Sequence, residues 1–133
     1  MVARASIYLY GDKLQPAKIT VLLGIKCSHS QIKGGQRSTD PKGKHAPAKT
    51  GLWRLEGLHE LTSLQNQIEA IFKKLQNINV QLDKLEQVEH AELDVFVTDD
   101  AEGGVRPTVE VEFSHAQIER INQLGLSLKI TVM

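Results

Sequence analysis

The chain has 133 residues, 41% hydrophobic and 24% charged, and its formal net charge is zero. That length suits a single domain, 1–133, which buries roughly two-thirds of its unfolded surface around one core. The zero balance speaks against a dedicated nucleic-acid binder, the single cysteine leaves no intramolecular disulfide, and without a signal-like N-terminus or an apolar run of roughly 18 residues the expectation is a cytoplasmic protein with no membrane span.

Ala3, Ala5, Ile7 and Leu9 alternate with Arg4, Ser6, Tyr8 and Tyr10, which predicts a first strand with one buried face. Gly11-Asp12 turns the chain. Pro16 suits a first helical position. Ile19, Leu22 and Leu23 form an apolar stripe, and Gly24 is placed to cap the helix end. Ile25 begins a second strand. Residues 30–51 are rich in Gly, Pro, Ser, Thr and Lys and predict a long loop or a hairpin tip. Leu52 to Leu55 form a short strand centred on Trp53.

From Leu61 the apolar residues fall at 61, 64, 68, 71, 75, 78, 82 and 85, a 3-4 spacing. One straight helix over 58–88 would span roughly 46 Å, whereas a domain of this size has a radius of gyration of about 14 Å. Asn77, Ile78, Asn79 and Val80 are weak helix formers in a row. The reading is therefore a long central helix, 60–76, followed by a shorter one, 80–88. The alternative, a protruding coiled coil, would make the protein a homodimer.

Leu93, Val95 and Val97 alternate on one face of a further strand, 91–97. Residues 98–104 turn, and Thr108 to Phe113 return as its hairpin partner. Ser114 and Gln117 form a capping box. Ile118, Ile121 and Leu124 make a helical stripe, Gly125 caps it, and Leu126 to Val132 alternate as a last strand. The chain thus makes a strand, short helix, strand move at each end. The predicted fold is α+β, a single mixed β-sheet with two βαβ-like units and helices mainly on one face.

Several of these stretches together resemble a known family: Gly11-Asp12-x-Leu14-x-Pro16-x-x-Ile19-x-x-Leu22-Leu23-Gly24-Ile25, then Lys33-Gly34, Gly51-Leu52-Trp53-x-Leu55, and Leu124-Gly125-Leu126-Ser127-Leu128. In that order and spacing they resemble the bacterial domain of unknown function 4279, over nearly the whole chain. The resemblance implies a compact bacterial cytosolic domain and no particular reaction. Small standalone domains of this class often serve as immunity proteins beside toxins.

The zero net charge hides a segregation. Residues 1–50 carry nine basic and two acidic residues, a surplus of +7; residues 51–103 carry four basic and eleven acidic, −7; residues 104–133 carry three of each. Opposite regions of one domain attract each other, or one of them meets a partner. Lys33-Gly34-Gly35-Gln36-Arg37, followed by Lys42, Lys44 and Lys49, is the best binding candidate, because glycines let backbone N–H groups approach an anion. It lacks P-loop spacing, and its bland reading is a solvated hairpin tip that protects a sheet edge. Asp99, Asp100 and Glu102 form an acidic tip with too few oxygen ligands for a calcium loop. Trp53 is a core anchor or an interface anchor. Cys27-x-His29 is at most half a metal site, and Cys27 as a nucleophile lacks an evident activating base.

No catalytic signature, cofactor motif or metal site emerges. The expectation is a non-enzymatic interaction protein, in its most concrete form an immunity protein that binds and blocks a cognate toxin. It would use either the basic 33–49 segment or the acidic surface of 83–102. Charge reversal at Lys42, Lys44 and Lys49, or at Asp99, Asp100 and Glu102, should slow association if that segment forms the interface. The alternative is a site for a small anionic ligand or nucleotide near Asp12, Lys33, Arg37 and Trp53.

Overall fold

A computed structural model describes residues 2–34, 50–98 and 109–133. Five strands form one sheet: β1 (Val2–Gly11), β2 (His29–Gln31), β3 (Gly51–Glu56), β4 (His90–Thr98) and β5 (Ser127–Val132). Their order is β2-β3-β1-β4-β5. All neighbours are antiparallel except β4 and β5, which run parallel. Three α-helices join them: α1 (Pro16–Leu23), α2 (Leu64–Lys74) and α3 (His115–Gln123).

The alternation read from the sequence sets the two faces. Ala3, Ala5, Ile7 and Leu9 of β1 and Ala91, Leu93, Val95 and Val97 of β4 are buried together with Trp53 and Leu55 of β3. Ile19 of α1, Ile68 and Ile71 of α2, and Ile121 of α3 join the same core. The helices thus cover one face, as the mixed α+β expectation requires.

Local signals explain the joints. Gly11 ends β1 where a Cβ would stand 2.0 Å from the Gln87 carbonyl oxygen, so no larger residue fits. Leu14 N–H donates to the Gly11 carbonyl at 3.1 Å, Leu14 is fully buried, and Pro16 opens α1. Gly24 closes α1 at φ 68° with its N–H on Thr20 O at 2.9 Å. Ser114 and Gln117 form the capping box of α3.

The two end units are genuine but differ from the expected pairing. β1 and β2 are parallel with β3 inserted between them. The second unit is β4-α3-β5, and described residues 109–113 form no strand. β4 already has β1 on one side and β5 on the other, so no free edge of β4 remains for residues 109–113, and Thr108 lies outside the described residues. Val109, Val111 and Phe113 instead pack half-buried against the core.

The central helical region also departs from expectation. α2 is shorter than 60–76, and 80–88 holds only a 3-10 turn, Leu82–Lys84. After β3 the chain leaves the sheet, loops around Gln67, and returns at Thr62, whose backbone pairs with Ala3. At the other end Arg120 of α3 donates to the carbonyls of Leu75 and Ile78 at 2.8 and 2.9 Å, satisfying the helix terminus. Leu22 and Ile118, expected on apolar stripes, are exposed; Ile19, Leu23, Ile121 and Leu124 are buried as expected.

Candidate functional site on the open sheet face

The face opposite the helices is half-exposed and carries the polar half of the alternation. Strand register places Tyr8 between Arg54 on β3 and Glu92 on β4. Tyr10 lies between Leu52 and His90, and Ser6 between Glu56 and Asp94. The rows run on to His29 on β2 and to Lys129 on β5, opposite Asp94.

The side chains form a continuous row of planar groups. The Arg54 guanidinium lies 5.4 Å from the Tyr8 ring centroid. Tyr8 and Tyr10 stack at 5.7 Å with their planes 9° apart. Tyr10 and His90 stack at 6.0 Å, 24° apart. Arg54 Nη2 also pairs with Glu56 Oε1 at 3.0 Å and meets Ser6 Oγ at 3.4 Å. His90 Nε2 is 2.9 Å from Glu92 Oε2. These charged side chains are partly withdrawn from water, Arg54 at 22% exposure and Glu56 at 18%, so their interactions are screened less than those of ordinary surface pairs.

The electrostatics of the face follow from that shielding. Burial pushes the Tyr10 phenol up to about 12, and the Glu92 carboxylate adds to the shift. Tyr8 is raised as well, chiefly by burial and against the opposing Arg54. Both tyrosines of the chain are on this face, which makes the effect measurable. At about pH 10, where a free phenol is half ionised, the folded protein should show well under half the phenolate absorbance of the unfolded chain. The unfolded chain gives up these protons first, so stability should fall as pH rises from about 10 through about 12.

Asp94 is raised too, first by burial and then by Glu92, with Lys129 and Arg54 opposing. The native state therefore holds this proton more tightly than the unfolded chain. Its contribution is favourable at low pH and is lost as pH rises through the folded value. Asp94→Asn should remove that loss and raise the melting temperature at neutral pH. A lower melting temperature would mean that the carboxylate makes a net favourable contact, with Lys129 the nearest candidate.

The residues proposed from sequence fare differently. Lys33 is exposed and pairs with Asp12 at 3.2 Å. Trp53 is fully buried on the core side, its indole N–H donating to Thr20 Oγ1 at 3.0 Å. It is the core anchor of the two readings, and it does not join Asp12 and Lys33 in a site. Arg37, Lys42, Lys44, Lys49, Asp99, Asp100 and Glu102 lie outside the described residues. Cys27 is half-buried, and among the described residues no three His, Cys, Asp or Glu side chains are grouped to hold a metal ion. No helix among them is long and apolar enough to cross a membrane.

Sequence reasoning missed Tyr8, Tyr10, Arg54, Glu56, His90, Glu92 and Asp94 as a group. One signal was present: the outward half of β1 reads Tyr-x-Tyr, and aromatics on a solvent-facing half are out of place in a plain amphipathic strand. Three surface clefts, of about 190, 350 and 400 Å3, lie elsewhere: one between α1 and residues 86–87, one at residues 58–62, and one on the outer side of α1. None of them includes Asp12, Lys33 or Trp53.

No curated protein and no solved structure matches the chain. The family model described as Domain of unknown function (DUF4279) matches residues 2–133. The match runs from the first strand through the Gly11 to Pro16 turn to the end of β5, and on that ground the chain belongs to the DUF4279 family.

Proposed function

We propose that this protein is a non-catalytic interaction domain, in its most concrete form a bacterial cytoplasmic immunity protein that binds and blocks a cognate toxin, and that the open sheet face engages the partner. The observation that carries this is the Arg54-Tyr8-Tyr10-His90 row at the centre of a sheet face that no helix among the described residues covers. Tyr and Arg are enriched at interface centres: Tyr offers a large, rigid contact area with a polar tip, and Arg a planar fork of donors that stacks on rings. A preformed row lowers the ordering cost of association.

Glu92 and Asp94 belong to the acidic 83–102 stretch singled out from the sequence, so the β4 part of the face presents acidic groups to a partner. Such charge sets encounter rate and specificity more than raw affinity. The basic segment 33–49 is the competing surface, and charge reversal at Lys42, Lys44 and Lys49 discriminates the two.

Affinity capture from the native organism's lysate, washed at rising salt, tests the reading. One stoichiometric protein that survives the salt is the expected result, and its inhibition on binding would establish the immunity role. A folded bait that captures nothing contradicts a constitutive complex.

A further inference from the structure

The open face already contains one well-built seat for a guanidinium. Arg54 lies against the Tyr8 ring, pairs with Glu56 and reaches Ser6. A planar cation is held there by a ring face on one side and a carboxylate at its edge, the combination in which arginine outperforms lysine.

The same parts recur across β1 with no arginine of this chain among the described residues to fill them. Tyr10 and His90 supply the rings, and Glu92 and Asp94 supply the carboxylates. The cations nearby are otherwise engaged or too few. Arg54 is held by Glu56. Arg4 Nη2 donates to the His59 carbonyl at 3.4 Å. Glu92 Oε2 meets His90 Nε2 at 2.9 Å and keeps further lone pairs, Asp94 has only Lys129 opposite it among the cations of β5, and Glu92 adds to the burial that raises both Tyr10 and Asp94.

Resting on the interaction reading above, we infer that the Tyr10, His90, Glu92 and Asp94 corner of the open face receives an arginine side chain presented by a protein partner. The chemistry is stacking on the ring row together with charge-assisted hydrogen bonds to the two carboxylates. A row of tyrosines also suits stacked bases, but single strands require a cationic flank, and Glu56, Glu92 and Asp94 oppose phosphate. Charge complementarity therefore favours the arginine.

The test is a titration of the isotope-labelled full chain with the peptide acetyl-Gly-Arg-Gly-amide, followed by amide and tyrosine-ring NMR shifts up to millimolar concentration. Shifts should concentrate at Tyr8, Tyr10, His90, Glu92 and Asp94. Acetyl-Gly-Lys-Gly-amide should bind more weakly, and acetyl-Gly-Gln-Gly-amide should leave these signals unmoved. The double variant Glu92→Gln, Asp94→Asn should weaken the arginine peptide about tenfold or more. Lys129→Gln, at an exposed position, should strengthen it at low salt, which keeps the test decisive if the double variant folds poorly.

Absent shifts, shifts centred elsewhere, equal binding of the glutamine peptide, or unchanged binding in both variants would each overturn the inference. Equal binding of free agmatine would assign the corner to a small cation and overturn the protein partner, as would stronger binding of a single-stranded oligonucleotide. A concentration-dependent dimer abolished by Glu92→Gln, Asp94→Asn would assign the face to a second copy and overturn it also. If lysate capture yields a partner while the peptide leaves the corner untouched, the interaction reading stands and this inference falls. If the peptide binds as stated and capture is empty, the arginine seat stands while the constitutive complex falls.

Discussion

Trp53→Ala should lower stability by about 3–5 kcal/mol, the range for deleting a large buried aromatic. Trp53 is fully buried at the centre of β3, opposite Leu9 of β1 and Ser30 of β2. Its N–H ties β3 to α1 through Thr20. The substitution therefore leaves a cavity and loosens a helix at once. Against a total of about 5–15 kcal/mol for an ordinary domain, the loss is a large fraction. Denaturant unfolding reads it as a lowered midpoint at unchanged slope. A loss under about 1 kcal/mol would mean that the core closes without this residue.

A second large effect is expected at Gln67→Leu, at about 3 kcal/mol, because the substitution orphans several backbone groups together. Gln67 is completely buried in α2. Its Oε1 accepts from Leu58 N–H at 3.0 Å and Ala5 N–H at 3.4 Å, and its Nε2 donates to Glu60 O at 2.7 Å. The carboxamide thus stands in for the strand residues that β3 lacks after Glu56 and holds the 57–62 loop closed. Gly57 makes the space, since a Cβ there would lie 2.9 Å from Gln67 Oε1. Leucine nearly preserves the volume, so a loss of this size would be chiefly a hydrogen-bonding effect. A neutral result in thermal unfolding would show that the loop reorganises to satisfy itself.

Much of the scaffold was legible in short-range patterns. The alternations at Ala3 to Tyr10 and at Ala91 to Val97 became β1 and β4, two of the three inner strands. Pro16, Gly24, the Ser114 to Gln117 box and Gly125 marked helix ends where the backbone has few other choices. What failed depended on distant competition. Thr108 to Phe113 alternates well, but β5 holds the β4 edge that a hairpin partner would need. Residues 60–63 fit a helical spacing, yet the buried Gln67 draws that stretch into a loop. Ile118 and Leu22 lie at the rims of their stripes, and the sheet does not reach them.

The candidate site was hidden for a similar reason. Tyr8, Arg54 and Glu92 are neighbours only because β1 pairs with β3 and β4 in one particular register. A shift by one residue would turn each of them to the other face. No local motif encodes that meeting. The sequence drew attention to the glycine-rich basic segment, where residues of one charge are contiguous, whereas the sheet gathers its polar groups from strands far apart in the chain.

The most direct test of the open face as the docking surface is a paired capture, with wild-type and Tyr10→Ala proteins as baits in the same lysate. Tyr10 is half-buried on that face and outside the core, so both baits should be folded, which circular dichroism checks. The account predicts a stoichiometric partner on the wild type and a loss of at least about thirtyfold in affinity for the variant, as for a central interface residue. A partner retained equally by both would contradict it and move the interface off the sheet.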